Sequence, residues 1–186
     1  MTQLALPGRP LLPKSAAITV GTFDGVHRGH QTVLRQLSRI ALERDLKSVV
    51  VTFEPHPLRI VRPEAAPRRL CTAAEKVELL KAAGIDQVAV VPFTAALAAF
   101  SPRDFVENVL LKHFGLQHLV VGYDHGFGKD RSGDAATLQS LGAELGYGVT
   151  IVPPTDYGDL PISTTRIRTL LTEGNVIPAA DALGRP

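Results

Sequence analysis

Two histidines that stand three positions apart near the amino end of the chain have the types and spacing for phosphate chemistry. The string GTFDGVHRGH, residues 21–30, places His27 and His30 after a glycine-bracketed Thr-Phe-Asp. Residues i and i+3 of a helix share a face, so the spacing predicts that both imidazoles point the same way. Gly29 lacks a side chain, and the start of a helix offers free N–H groups and a positive dipole end. Together these features predict a phosphate site to which the imidazoles add donors.

The same residues also permit simpler interpretations. His27 and His30 can be surface residues of a helix for which Asp24 is the cap. A metal site is less well supported because no third ligand lies nearby in sequence. A dinucleotide fingerprint is excluded, since the loop has no G-x-G-x-x-G pattern. The residue types alone therefore leave the choice between a surface helix and a phosphate site open.

A second string with anion-binding chemistry lies near the other end of the chain. In ISTTRIRTLL, residues 162–171, three hydroxyl side chains precede two arginines at a predicted helix start. Hydroxyls, free N–H groups and guanidinium groups form an anion site, although a serine cap followed by surface arginines explains the string equally simply. Two positive clusters can clamp a triphosphate from two sides. The residues of the second cluster are Ser163, Thr164, Thr165, Arg166 and Arg168.

The elements that must position these clusters form an alternating pattern. Short, nearly all-apolar, β-branched runs predict strands buried on both faces of a parallel sheet. Segments with helical period separate them, as in His30–Arg44, where the apolar residues form one stripe. With right-handed crossovers, the order predicts an α/β fold with one doubly wound, five-stranded parallel sheet. The predicted strands are Ala16–Val20, Ser48–Phe53, Gln87–Val91, His118–Gly122 and Val149–Val152.

Capping patterns predict where several helices begin. Thr72 with Glu75 forms a capping box, and Ser101 precedes a proline at the first helical position. Asp134 and Ser163 can cap the helices that follow them. Ligands of such sheets bind at the carboxyl ends of the strands, which makes the loops after the strands the candidate sites. The longest, Glu54–Cys71, is rich in proline and arginine and is typical of a functional loop.

The composition restricts the class of protein. The chain has 186 residues, of which 45% are hydrophobic and 20% charged, as expected for one globular domain. A net charge of +2 is too small for non-specific nucleic-acid binding. No apolar run approaches the ~20 residues that span a bilayer, and the amino end has no signal-peptide pattern. Cys71 is the only cysteine, which fits a reducing compartment. We expect a cytoplasmic protein that binds neither nucleic acid nor membranes; its oligomeric state stays open.

Four strings together resemble a known family. G-T-F-D-G-x-H-x-G-H resembles the signature of the nucleotidyltransferase superfamily, which shares H-x-G-H with class I aminoacyl-tRNA synthetases. I-S-T-T-x-I-R resembles its companion motif in the adenylyltransferase branch. TFEPHP, residues 52–57, and VGYDHGFGKDRSG, residues 121–133, closely resemble the adenylyltransferase module of the bacterial bifunctional riboflavin kinase/FAD synthetase family. The resemblance runs from Ile18 to Pro186 and implies a Rossmann-like nucleotidyltransferase fold.

The resemblance implies an ATP:FMN adenylyltransferase, in which the FMN phosphate attacks the α-phosphorus of ATP and pyrophosphate leaves. It implies Mg²⁺ held mainly by the substrate phosphates, with Asp124 as a candidate ligand, and no catalytic role for Cys71. The implied catalytic residues are His27, His30, Arg166 and Arg168. The implied ATP-binding residues are Gly21, Thr22, Phe23, Asp24, His27, Gly29, His30, Ser163, Thr164, Thr165 and Arg166. The implied flavin-binding residues are Phe53, Pro55, His56, Pro57, Leu58, Asp124 and Phe127.

Two features depart from the family pattern. His125 and Gly126 stand where the family commonly has an aromatic residue followed by arginine or a similar polar residue. The sequence also stops at AADALGRP, whereas in the family an L-G-R-P-Y string leads into a kinase barrel. We therefore expect a single nucleotidyltransferase domain over residues 1–186 without riboflavin kinase activity, which is either a single-activity enzyme or a fragment of a longer protein. Residues 1–14 are its N-terminal extension, and 175–186 begin a linker to an absent kinase module.

Two alternative functions remain open at this point. A cytidylyltransferase that acts on a small phosphorylated alcohol shares the G-T-F-D and I-S-T-T strings, but it does not explain F-E-P-H-P. A non-catalytic module that binds flavin or nucleotide would keep the fold and lose the chemistry. Both histidines and both arginines are present, so the sequence shows no sign of such a loss.

Overall fold

One parallel sheet organises the molecule. The structure is a computed structural model that describes residues 15–128, 132–158 and 160–186. Within these residues, the five parallel strands lie in the order β3-β2-β1-β4-β5. The strands are β1 (Ala16–Val20), β2 (Lys47–Glu54), β3 (Gln87–Pro92), β4 (Leu116–Gly122) and β5 (Gly148–Val152). The predicted sheet is confirmed, and its order changes direction between β1 and β4, which is where such sheets bind ligands.

Helices cover both faces of the sheet, as expected for parallel strands. They are α1 (Arg28–Glu43), α2 (Leu58–Val61), α3 (Ala73–Ala82), α4 (Ala95–Ala98), α5 (Pro102–Phe105), α6 (Lys112–Phe114), α7 (Ala135–Leu145), α8 (Thr164–Thr172) and α9 (Val176–Leu183). A π-helical turn, Val106–Leu111, joins α5 to α6, and 3₁₀ turns occur at Asp24–Val26 and Pro63–Ala65. Two short strands, β6 (Asp156–Tyr157) and β7 (Leu160–Pro161), form an antiparallel hairpin before α8.

The alternation of side chains along β1 divides the core into two layers. One layer packs against α5, α6 and α7, and it contains Ile18, Val49, Phe105, Val109, Phe114 and Leu138. The other packs against α1 and α3, and it contains Ala17, Leu34, Leu37, Val50 and Leu80. A small third cluster of Ile162, Ile167 and Ala182 fixes α8 and α9 to each other. The helices that carry the site are therefore held by apolar packing.

The predicted capping residues are confirmed. The Thr72 hydroxyl accepts a hydrogen bond from the Glu75 N–H in a capping box, and Ser101 forms a second one with Asp104. Asp134 accepts from the Thr137 N–H at 2.9 Å, and Ser163 caps α8. Each cap satisfies an N–H group that would otherwise lack a partner at a helix start.

Some segments contain more regular structure than the sequence predicts. Glu54–Cys71, expected to be irregular, holds α2 and a 3₁₀ turn. Residues 175–186, expected to begin a linker, hold α9, whose Ala179 and Ala182 are buried. Short helices of this kind lack a long apolar stripe, which is why periodicity does not reveal them. The predicted extension over residues 1–14 lies outside the described residues.

Two leucines of α1 test how much packing holds this helix on the sheet. Leu37 is 0% exposed and Leu42 is 85% exposed. We expect Leu37→Ala to lower the free energy of unfolding by about 2–5 kcal/mol, because it leaves a cavity in a packed core. Leu42→Ala is the matched control and should change it by less than about 0.5 kcal/mol. Chemical denaturation measures both, and equal effects would contradict the assigned orientation of α1.

Candidate active site

The first loop makes a tight turn between β1 and α1. Phe23 and Val26 adopt left-handed φ values of 48° and 39°, and Gly25 has φ 75°. Such conformations are unfavourable for side chains other than glycine and persist where the surroundings impose them, often at functional sites. His27 follows in an extended conformation, and its Nδ1 accepts a hydrogen bond from the N–H of His30 at 3.3 Å. His27 therefore caps α1, which corrects the expectation that it lies within the helix.

The two imidazoles point the same way, as predicted. The rings of His27 and His30 stack with their centroids 3.6 Å apart and an interplanar angle of 16°. The Phe23 ring lies beside them, with its centroid 5.0 Å from that of His30. A Cβ atom at Gly29 would lie 3.2 Å from the His27 ring. The absence of a side chain at position 29 thus leaves room for the His27 ring.

Burial keeps both imidazoles neutral near pH 7. It lowers the pKa of His27 from 6.5 to about 4, despite an opposing effect of the Asp24 carboxylate. Burial also lowers the pKa of His30 well below its ordinary value, and His27 adds to this shift. Because Nδ1 of His27 accepts a hydrogen bond, the neutral ring carries its proton on Nε2. The pair can thus donate hydrogen bonds without the repulsion between two stacked cations.

The structure brings the two predicted anion-binding clusters together. Nε2 of His27 lies 3.4 Å from the hydroxyl oxygen of Thr164. Thr164 is the first residue of α8, and Ser163 caps this helix by accepting from the N–H of Arg166 at 3.2 Å. The amino ends of α1 and α8 therefore meet beside the carboxyl end of β1. Two helix starts with their free N–H groups make this point favourable for an anion.

The two arginines of α8 lie in different surroundings. Arg168 donates to Oδ2 of Asp24 at 2.5 Å and to the carbonyl oxygen of Arg68 at 2.7 Å. Arg166 donates to the carbonyl oxygen of Leu160 in the β6–β7 hairpin at 2.8 Å. The structure places Arg168 against the Glu54–Cys71 segment. The sequence does not predict this pairing with Asp24.

The Asp24 carboxylate connects the first loop to the far end of the Glu54–Cys71 segment. It accepts hydrogen bonds from the N–H groups of Leu70 at 3.0 Å and Cys71 at 3.3 Å. The Cys71 sulfur in turn accepts from the N–H of Gly25 at 3.2 Å. Burial raises the pKa of the Cys71 thiol, so it stays protonated near pH 7. This cysteine has a structural position and lacks the thiolate character of a nucleophile.

A polar cleft lies between the first loop and the end of β2. Its walls are Thr22, Asp24, Phe53, Glu54, His56, Arg69, Cys71, Thr72, Ala73 and Lys76. Nδ1 of His56 accepts from the N–H of Leu58 at 3.2 Å, and burial lowers the pKa of this imidazole. Glu54 and Arg69 form an ion pair across the segment. The cleft therefore joins residues predicted for ATP with residues predicted for flavin.

Three other residues predicted to bind flavin occupy different positions. Phe53 lines the cleft, but its ring also packs in the core, 5.3 Å from the Phe93 ring and 6.1 Å from the Phe105 ring. Phe127 is buried against Phe105, with ring centroids 5.0 Å apart. Asp124 is exposed just past the carboxyl end of β4. Phe127 is thus a core residue in this structure, whereas Asp124 faces the edge where ligands collect.

The cleft contains residues that the sequence analysis missed. Lys76 and Arg69 line it, and neither belongs to one of the four strings. The buried residues of α3 are Lys76 and Leu80, which are four positions apart and so share a helix face. A lysine on the buried face of a helix is a signal that the sequence contains, because lysine is almost never buried without a partner.

Metal-binding clusters and membrane-spanning helices are both absent from the described residues. Among the described residues, the histidine, cysteine and acidic side chains form no group of three or more that could hold a metal ion. In the same part of the chain, the helices are too short or too polar to cross a membrane.

Comparison with known proteins decides the family. A sequence model of the FAD synthetase family matches residues 10–166 of the chain. The chain belongs to the FAD synthetase family. The resemblance predicted from the four strings is therefore confirmed.

Relatives of this FAD synthetase domain include two-activity enzymes. The bifunctional riboflavin kinase/FMN adenylyltransferase of Escherichia coli strain K12 is 37% identical over 173 residues, which cover 93% of this chain and 55% of the relative. The protein of the same name from Pseudomonas fluorescens is 38% identical over 173 residues, with the same coverage. The chain thus spans about half the length of these relatives.

Solved structures agree on the fold of the FAD synthetase domain. A structure described as a macrolide-efflux protein from Streptococcus pneumoniae has a TM-score of 0.80 and 28% sequence identity. The match covers 96% of this chain and 58% of the chain in that structure. The structure of pantothenate synthetase from Thermus thermophilus has a TM-score of 0.53 and 18% sequence identity. The match covers 92% of this chain and 77% of the chain in that structure. The second likeness shows a shared α/β fold alone.

The depressed pKa of His27 predicts an acid-dependent loss of stability. The unfolded chain protonates this imidazole near pH 6.5, whereas the folded chain does so at about pH 4. The unfolded state therefore binds more protons between these values, and stability falls as the pH falls through this window. We expect His27→Asn, which keeps a capping side chain, to reduce the loss between pH 7 and pH 4 by about 2–3 kcal/mol.

Urea denaturation of both proteins at each pH measures this difference. Carboxylates titrate in the same window in both proteins, so only the difference between their pH profiles reports on His27. Parallel profiles would show that His27 is not buried in its neutral form.

Proposed function

We propose that this domain transfers AMP from ATP to FMN and forms FAD and pyrophosphate. The observation that carries the proposal is the meeting of the two anion-binding clusters, where Nε2 of His27 lies 3.4 Å from the Thr164 hydroxyl oxygen. This meeting point lies beside the polar cleft at the end of β2, so two ligands can converge there. The relatives that share the fold are named for FMN adenylyltransferase activity, which supports the same assignment.

The proposal places the ATP phosphates between the starts of α1 and α8. Gly21, Thr22 and Phe23 would contact the nucleotide mainly through their backbone. His27 and His30 would donate hydrogen bonds to the α- and β-phosphate region, where charge develops during transfer. The β- and γ-phosphates would lie against the start of α8, which holds Ser163, Thr164, Thr165 and Arg166. Arg168, held by Asp24, contributes positive charge from the side of the cleft.

The transfer is a direct displacement in this proposal. A phosphate oxygen of FMN attacks the α-phosphorus of ATP, and the bond from that phosphorus to the bridging oxygen of the β-phosphate breaks. Pyrophosphate leaves with the electrons of that bond, so no protein nucleophile is needed. Positioning and charge neutralisation supply the rate enhancement. The protonated thiol of Cys71 is consistent with this, because it is a poor nucleophile.

Magnesium fits the site only as a companion of the substrates. The described side chains form no three-residue metal cluster. We infer that phosphate oxygens hold Mg²⁺, with the exposed Asp124 as a candidate protein ligand. When bound, the ion neutralises phosphate charge. We also propose a cytoplasmic location, where ATP and FMN are available, and we assign no riboflavin kinase activity to these residues.

The histidine pair provides a direct test of the phosphate assignment. We expect His30→Ala to lower the rate of FAD formation by at least about 10²-fold, because it removes a donor at the reacting phosphates. FMN affinity should change little. His113→Ala is the control, since α6 precedes β4 and therefore lies at the opposite edge of the sheet. The assay follows FAD and pyrophosphate with ATP, FMN and Mg²⁺.

Substituting CTP for ATP in that assay separates the proposed adenylyl transfer from cytidylyl transfer. Wild-type turnover in His30→Ala would remove the phosphate role from the pair. Equally fast release of pyrophosphate with CTP, with flavin cytosine dinucleotide as the product in place of FAD, would contradict the specificity for ATP.

The cleft provides a separate test of the flavin assignment. We expect the double variant His56→Ala, Leu58→Ala to weaken FMN and FAD binding by about tenfold or more, because a flat ring requires apolar walls and a few polar anchors. ATP affinity should stay within about threefold. Val61→Ala on the exposed side of α2 is the matched control. Calorimetric titration measures each ligand, and loss of ATP affinity with FMN affinity retained would reverse the placement of the two substrates.

A further inference from the structure

A buried amine lies beneath the junction of the two proposed substrate sites. Lys76 of α3 is 7% exposed. Its Nζ donates hydrogen bonds to the carbonyl oxygen of Thr22 at 3.2 Å and to that of Phe53 at 3.3 Å. Thr22 belongs to the first loop, and Phe53 lies near the end of β2. One side chain therefore connects the segments that lead to His27 and to His56.

The sheet joins these two segments through a few hydrogen bonds beyond its regular ladder. The ladder between β1 and β2 ends at Val20 and Val51, and the Gly21 N–H makes one further bond to the Val51 carbonyl oxygen at 3.0 Å. The Thr52 hydroxyl donates to the Thr22 carbonyl oxygen at 3.1 Å, on the β2 side. Lys76 adds a connection from a third element, α3, and it is the charged donor among these contacts.

Burying the charged amine of Lys76 costs more free energy than burying an apolar side chain of similar size. Burial lowers the pKa of its amine, while Glu54, Cys71 and Asp24 oppose the shift and Arg69 adds to it. A methionine or leucine at this position would pack beside Leu80 without that cost of desolvation. Hydrogen bonds from a charged donor are stronger and more directional than apolar contacts. Lys76 therefore fixes the distance between the backbone carbonyl groups of Thr22 and Phe53.

We propose that Lys76 is a positioning residue that sets the spacing between the ATP-binding first loop and the flavin-binding segment after β2. The inference rests on the proposed adenylyl transfer. Such a transfer requires the attacking oxygen and the α-phosphorus to lie within about 3–3.5 Å, and a displacement of about 1 Å costs roughly 10²-fold in rate. Each segment still binds its own substrate when Lys76 is replaced, but the two substrates no longer meet correctly.

Three variants of α3 test this role. Lys76→Met keeps the length and removes the donors, Lys76→Arg keeps charged donors, and Lys81→Met is the matched control on the exposed face of the same helix. For Lys76→Met we expect kcat to fall by at least about 30-fold, with KM for ATP and for FMN each within about threefold. Lys76→Arg should recover most of kcat, and Lys81→Met should match the wild type. All assays run well below the measured Tm of each variant.

Amide hydrogen exchange gives a second readout that does not depend on activity. In Lys76→Met, exchange should accelerate at Gly21–Phe23 and at the end of β2 and remain unchanged in α7, whereas Lys81→Met should show no change. A wild-type kcat in Lys76→Met would overturn the proposal, as would a parallel rise in both KM values with kcat retained. If the wild type itself forms no FAD, the proposed function fails, and the exchange pattern alone then decides whether Lys76 holds the two segments.

Discussion

The carboxylate of Asp24 is the contact on which the arrangement of the site depends. It is 6% exposed, and it accepts hydrogen bonds from the backbone of Leu70 and Cys71 as well as from Arg168. Removal of one partner from a buried ion pair typically costs about 3–5 kcal/mol, so Asp24 strongly favours the arrangement in which the first loop, the end of the Glu54–Cys71 segment and α8 meet. These are the segments from which both proposed substrate sites are built. The site is therefore held together by one acceptor rather than by the sheet alone.

Apolar patterns and helix caps made most of the fold predictable. Each of the five strands of the parallel sheet was visible as an apolar, β-branched run because both faces of such a sheet are buried, whereas the short β6–β7 hairpin was not predicted. Thr72, Ser101, Asp134 and Ser163 marked helix starts because capping depends on residues that are neighbours in sequence. The short helices α2 and α9 were missed, since neither carries an apolar stripe long enough to show a period. Strong local patterns therefore predicted secondary structure, whereas segments with weak local patterns were missed.

The site was predictable in its residue types but not in its contacts. The spacing of His27 and His30 indicated a shared direction, yet it did not show that His27 is the cap of α1. The pairing of Asp24 with Arg168 joins positions 144 apart, and no local pattern encodes such a contact. Lys76 carried a signal, as a charged residue on a buried helix face, that becomes informative only when the buried face is known. Polar contacts between residues that are distant in sequence could therefore be identified only from the structure.

The strand order has a consequence for how the molecule folds. β1 lies between β2 and β4, with Ile18 opposite both Val49 and Leu119. The amino-terminal strand therefore stays unpaired along one edge until a much later part of the chain has been synthesised. The contact between His27 and Thr164, which are 137 positions apart, requires later residues still. Contacts this distant in sequence raise the contact order and slow folding. The two halves of the site can therefore meet only after nearly the whole described chain has been synthesised.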